Sequence, residues 1–185
     1  GLKKPLFVLV VLVVLYQPPK PSTMAPALQD IELSGNSAFF GGGAAIDTHA
    51  TLEQVSISGN EASSGGGLWL GEGTWNGIDV ALSQATITEN EASSGGGIYA
   101  LDCALDADWV LVVGNTGYSG AGMMVGRYSQ LDARHLILAG NQSRGYGGGL
   151  SLYGDASLTY ADVVGNGATY RGGGGGMRGV GGEGV

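Results

Sequence analysis

Cysteine is nearly absent: Cys103 stands alone in 185 residues, so no intramolecular disulfide can staple the chain and no cysteine set can hold a metal. The thiol is expected free and half-buried. Positive charge is also scarce. No lysine follows Lys20, and all five arginines lie at or after Arg127. From Leu28 onward those five arginines face 16 acidic residues, which makes nucleic acid and anionic membrane surfaces poor partners. Charged residues amount to only 13%, and Glu61, Glu89 and Glu91 read as a solvated edge that favours solubility. Long apolar runs are missing too. The longest, Leu6 to Leu15, has ten residues, and a helix crossing a bilayer wants about 20.

What the chain has is glycine, 37 residues of it, and a segment that recurs six times. Each copy reads apolar-x-x-Asn, then a glycine run, then apolar residues. The asparagines are Asn36, Asn60, Asn90, Asn115, Asn141 and Asn166, at intervals of 24, 30, 25, 26 and 25 residues. The glycine runs keep the same phase, from Gly41-Gly42-Gly43 through Gly120-Ala121-Gly122 to the longer Gly172 to Gly176. A period near 25 with glycine, asparagine and short β-like runs predicts a solenoid.

In a solenoid each coil must send the same columns of side chains inward, and aligning the copies on the asparagine reveals such columns. Three residues before it stand Leu33, Ile57, Ile87, Val112, Leu138 and Val163, and five before stand Ile31, Val55, Ala85, Val110, Leu136 and Ala161. That step of two is strand alternation. Columns eight and ten before are apolar as well, so the step of three between the eighth and fifth positions predicts a corner or bulge there. After each glycine run the first and third residues are again mostly apolar, as in Leu68 and Leu70 or Ile98 and Ala100. About three short strands per coil follow. Asparagine suits a corner because it tolerates the left-handed backbone, and stacked amides can bond from coil to coil. Glycine relieves crowding at tight turns. None of the glycine runs carries the Lys-Ser/Thr of a phosphate loop.

Residues 57 to 68, Ile-Ser-Gly-Asn-Glu-Ala-Ser-Ser-Gly-Gly-Gly-Leu, and 87 to 98, Ile-Thr-Glu-Asn-Glu-Ala-Ser-Ser-Gly-Gly-Gly-Ile, resemble repeats of right-handed parallel β-helix proteins. They are most similar to the polymorphic outer membrane protein repeat of bacterial surface proteins. That family places an apolar or aromatic residue three before an Asn, and an apolar residue after a Gly-Gly pair. Here Leu, Ile or Val replaces the family's usual Phe. The resemblance spans about residues 28 to 176 and implies an exported adhesin or passenger-type module.

The expected organisation has three parts. Residues 1–27 read as a secretory signal peptide, with Lys3 and Lys4 before the apolar run and Ala25-Pro26-Ala27 after it. A strand run from an earlier coil is the alternative. Residues 28–176 form an all-β, right-handed parallel β-helix of about six coils, and residues 177–185 a glycine-rich tail. Six coils without evident caps suggest part of a longer stack.

Candidate binding residues lie where the repeat is interrupted or its outward columns are aromatic. The longest interval contains Gly71 to Asp79, read as a projecting loop. Ala45, Trp69, Tyr99, Met124 and Ser151 form an outward column, in which Trp69 and Tyr99 should stack, with Trp75, Glu72 and Asp79 nearby. Aromatic faces beside carboxylates suit a glycan, and a cell-surface protein is the other expected partner class. An enzymatic alternative rests on Asp106, Asp108 and Asp132 with Arg134 as the one basic candidate, in the manner of β-helix polysaccharide lyases or glycoside hydrolases that use Ca²⁺ or paired carboxylates. No other cofactor or metal is expected. His49 and His135, in unrelated phases, read as surface residues. A third reading is ice binding or a purely structural spacer. Ice binding starts from Ser56-x-Ser58 and Thr86-x-Thr88, but the row does not persist through Leu111-x-Val113, Ile137-x-Ala139 and Asp162-x-Val164, which leaves an outward apolar strip on the later coils.

Overall fold

A computed structural model of the protein describes residues 27–71, 77–170 and 177–179. The signal segment apart from Ala27, the loop residues Glu72 and Trp75, and the run Gly172 to Gly176 lie outside the described residues. Among the described residues every regular element is a β-strand. The strands form three parallel sheets, each six rungs deep, so five turns of chain join the first rung to the last. This is a parallel β-helix. In the first sheet the chain pairs with itself one coil later, as in Leu52 with Leu82, Leu82 with Ala107, and Ala107 with Ala133. The second sheet holds the short strands after each asparagine, such as Glu91–Ser94, and the third those after each glycine run, such as Ile98–Leu101. Met177–Gly179 is the sixth strand of the third sheet, so the solenoid extends past residue 176.

The inward columns meet in one core. Leu52, Ile57, Leu68, Leu82, Ile87, Ile98, Leu105 and Leu138 are fully enclosed, whereas Leu28, Ile31 and Leu33 of the first rung and Leu158 and Val163 of the sixth are half-buried. The terminal rungs are less covered because each has a described neighbour on one side only. Burial at ~25 cal/mol per Å² of apolar surface is the main stabilising term in such a stack.

The three-residue step is a corner of a specific kind. The residue six before each asparagine, namely Asp30, Gln54, Gln84, Trp109, His135 and Tyr160, has φ between 50 and 55°. None of the six is glycine. The left-handed residue turns the strand between one inward residue two positions before it and another directly after it, as in Ala107 and Val110, so the strands Ile78–Thr88, Cys103–Val113 and Gln130–Ala139 bend without breaking. At the next corner the left-handed residue is the one before the asparagine, with φ of 56 to 66° at Gly35, Gly59, Glu89, Gly114, Gly140 and Gly165. The asparagines themselves are not left-handed, contrary to the reason inferred from the sequence.

Their role is the ladder. Asn60 Oδ1 accepts from the backbone N–H of Asn36 at 2.9 Å and from its Nδ2 at 3.1 Å, while Asn60 Nδ2 donates to Asn90 Oδ1 and to Leu33 O, each at 2.9 Å. The pattern repeats through Asn90, Asn115 and Asn141 to Asn166. Asn90, Asn115 and Asn141 are 0% exposed, so these amides are satisfied wholly within the protein. Glycine is required beneath them by space. A Cβ on Gly67 would lie 2.6 Å from Gly97 O and 3.1 Å from Asn90 Nδ2.

Candidate functional site

Three outward features remain once the core and ladder are assigned. The first is an acidic groove of about 590 Å³ on the first sheet, lined by His49, Asp79, Asp106, Gln130 and Asp132 among others. Parallel register places Asp106 beside Asp132 and Asp108 beside Arg134, all on one outward face before the left-handed corner. Like charges on adjacent rungs, ~4.8 Å apart, repel. His49 sits at the groove's edge, where its Nδ1 accepts the Asp79 backbone N–H at 3.0 Å and lies 3.2 Å from Asp79 Oδ2. Asp79 therefore belongs to this groove on the first sheet, and Trp69 stands on the third. Among the described residues no three His, Cys, Asp or Glu side chains converge as a metal site. Behind the groove Cys103 is buried, at 2% exposure, more deeply than the sequence suggests. Burial, then the charges of Asp79 and Asp102, push its thiol up from 9.0 to about 12, so it is a poor nucleophile near neutral pH.

The second feature follows from the left-handed corner. A left-handed residue in each rung projects outward at the same place, and on rungs four to six these residues are Trp109, His135 and Tyr160. Trp109 and His135 stack at 4.1 Å and 8°, and His135 and Tyr160 at 5.4 Å and 12°. His135 Nδ1 is 3.0 Å from Asp108 Oδ1, so the ring is held at its edge as well as on both faces. The apolar strip lies beside this stack in register: Leu111 with Ile137 and then the exposed Asp162, and Val113 with Ala139 and then Val164. Trp109 is 61% exposed, Tyr160 78%, Val164 53% and Ile137 39%. Sequence reasoning found the strip but missed the stack. The missed signal was the column six before the asparagine, which sits at the step of three and is aromatic in three successive coils.

The third feature surrounds Trp69. Its register neighbours are Ala45 and Tyr99, and Tyr99 is paired in turn with Met124 and Met124 with Ser151, as the outward column requires. Trp69 is nevertheless only 8% exposed, so its ring offers no open stacking face. Phe40 of the second sheet lies over it with ring centroids 5.2 Å apart, and Phe39 packs edge-on against Phe40 at 4.7 Å. Ser151 is also buried and bonds to Ser119 Oγ at 3.2 Å. Neither Trp75 nor Glu72 can be placed against this group, since both lie outside the described residues.

Comparison with known proteins adds no relative: no family model, no curated protein and no solved structure matches the chain. Among the described residues no helix is long and apolar enough to cross a membrane.

Proposed function

We propose that this chain is an exported, surface-exposed, non-catalytic β-helix module, adhesin-like or passenger-like, built on repeats of the polymorphic outer membrane protein type, and that it docks a protein partner on rungs four to six. The observation that carries this reading is the strip of Leu111, Ile137 and Val164 beside the stacked Trp109, His135 and Tyr160. An apolar patch of this kind on an otherwise polar face marks a contact surface. Stacking covers both faces of His135 and one face each of Trp109 and Tyr160, so the three rings line up along the strip mainly by their edges. Edges in a flat apolar strip suit a protein surface, whereas a sugar packs on an open ring face.

Labelled chain applied to intact cells, protease-treated cells and glycosidase-treated cells tests this reading. Binding should be lost with protease and retained after glycosidase, and Ile137→Glu should weaken it by about tenfold or more, the equivalent of ~1.4 kcal/mol. Binding abolished by glycosidase and by Trp69→Ala would return the glycan reading, and no binding to any of the cells would reject the module as an adhesin. Export has its own test. Expression in a bacterium should yield protein processed near Ala27, and an intact N-terminus on cytoplasmic protein would reject the signal peptide.

The acidic groove favours a second reading, polysaccharide lyase or hydrolase, with Asp106 and Asp132 as the paired carboxylates and Arg134 as the basic residue. Release of unsaturated oligosaccharide from polyuronate that disappears in Asp106→Asn would establish it over the first.

A further inference from the structure

The cavity between the first two rungs is lined by Ala38, Phe39, Phe40, Ala45, Asp47 and Trp69 and has a volume of about 330 Å³. That lies at the small end of the range for small-molecule sites, ~300 to 1,000 Å³. Two of its polar atoms are buried without any hydrogen-bond partner: Asp47 Oδ1 and Trp69 Nε1. An indole N–H or carboxylate oxygen left unpaired in the interior is costly, so a donor and an acceptor at one cavity call for a ligand that supplies both complements. We propose that this cavity binds a choline-type ligand, a small quaternary ammonium ion carrying a nearby oxygen.

The charge of the ligand follows from the carboxylate and the rings that line the cavity. Between residues 21 and 126 there is no lysine or arginine, and the basic side chain nearest in sequence, His49, is engaged with Asp79 at 3.2 Å. Among the described residues no basic side chain is paired with Asp47, and a bound cation would supply that counter-charge. The walls say which kind. Phe40 is tilted 33° to Trp69, and Phe39 stands at 86° to Phe40, so three rings in different orientations border one space. Ring faces attract cations, and here Phe39 and Phe40, 69% and 46% exposed, present the open ones while covered Trp69 contributes its N–H. Aromatic walls with one carboxylate suit a cation with no N–H to satisfy. A primary ammonium carries three donors, and among these lining side chains only Asp47 accepts. A calcium ion would want six to eight oxygen ligands. The Trp69 N–H then donates to the ligand's oxygen. This site lies two rungs away from the strip on rungs four to six, and the inference does not depend on it.

Calorimetric titration of the folded chain with choline, tetramethylammonium and ethanolamine tests the proposal. Choline should bind saturably, with ethanolamine on the order of tenfold weaker. Asp47→Asn should weaken choline by a similar factor, and Trp69→Phe, which keeps a ring but removes the N–H, should erase choline's advantage over tetramethylammonium. Unfolding midpoints control for misfolding. Should Asp47→Asn not fold, Phe39→Leu at a ring 69% exposed serves instead, and it too should weaken binding. Absence of saturable choline binding to the unaltered chain, or equal affinity in the folded variants, overturns the proposal.

Discussion

Asn90 holds four hydrogen bonds at zero exposure: its Oδ1 accepts from Asn60 N and Nδ2, and its Nδ2 donates to Asn115 Oδ1 and Ile57 O. Asn90→Ala removes all of them and strands partners on two coils. A loss of at least ~1 to 3 kcal/mol in unfolding free energy is expected, and an unchanged midpoint would count against the ladder. One residue earlier, Glu89 holds φ of 56° where the other five coils have glycine. A left-handed non-glycine residue costs ~1 to 2 kcal/mol, partly offset by the lower entropy of its unfolded state, so Glu89→Gly should stabilise by up to ~1 kcal/mol. Chemical denaturation reads this directly. Cys103 gives the protein an alkaline limit. Its folded pKa of about 12 lies above the ordinary 9.0, so folding is favoured fully below pH 9 and loses that support as pH rises toward 12. Each pH unit in that window should cost up to ~1.4 kcal/mol, and Cys103→Ala should flatten the difference between pH 8 and 11.

At the scale of the strand and its turns, two glycine columns are needed for different reasons. A Cβ on Gly114 would meet nothing within 4 Å, so only its φ of 66° resists substitution. Gly96 does not have positive φ, yet a Cβ there would lie 2.3 Å from Thr116 O and 2.5 Å from Ala121 O. Gly114→Ala should therefore cost ~1 kcal/mol, and Gly96→Ala distinctly more, because backbone rather than a flexible side chain must move. Equal effects in a thermal melt would contradict the steric account. Ala121 occupies the same column as Gly96 without harm. The rung beyond it carries one extra residue in Gln142–Tyr146, where Gly117 pairs with Ser143 and Ser119 with Tyr146. Ser143 Oγ ties down that bulge by donating to Tyr118 O at 2.6 Å and accepting from the N–H of Gly145 at 3.1 Å.

Across the whole molecule stability accumulates rung by rung, since each coil packs mainly on its neighbours. The same deletion should therefore cost more in the middle than at the end. Leu82 is 1% exposed and Leu158 is half-buried, so Leu82→Ala should destabilise by ~2 to 5 kcal/mol and Leu158→Ala by clearly less. The candidate sites are spread along the same axis. The Trp69 cavity lies on the first two rungs, the acidic groove runs from His49 to Asp132, and the aromatic stack occupies the last three rungs.

The sequence by itself determined the solenoid, its period, its inward columns and the asparagine phase, because every coil must present the same side chains to the same neighbours and so writes them repeatedly. It also placed Asp106 beside Asp132 and Trp69 beside Tyr99, since parallel register follows from counting. Only the tertiary structure decided what covers an outward residue. Phe40 comes from another sheet and closes over Trp69, Asp79 turns toward His49, and the corner aromatics Trp109, His135 and Tyr160 become one stack. Those contacts depend on where the chain turns between sheets. The corner that carries the stack is set by positive φ at a non-glycine residue in every coil, a property that no residue type at that position announces, whereas the other corners hold their left-handed φ mostly on glycine.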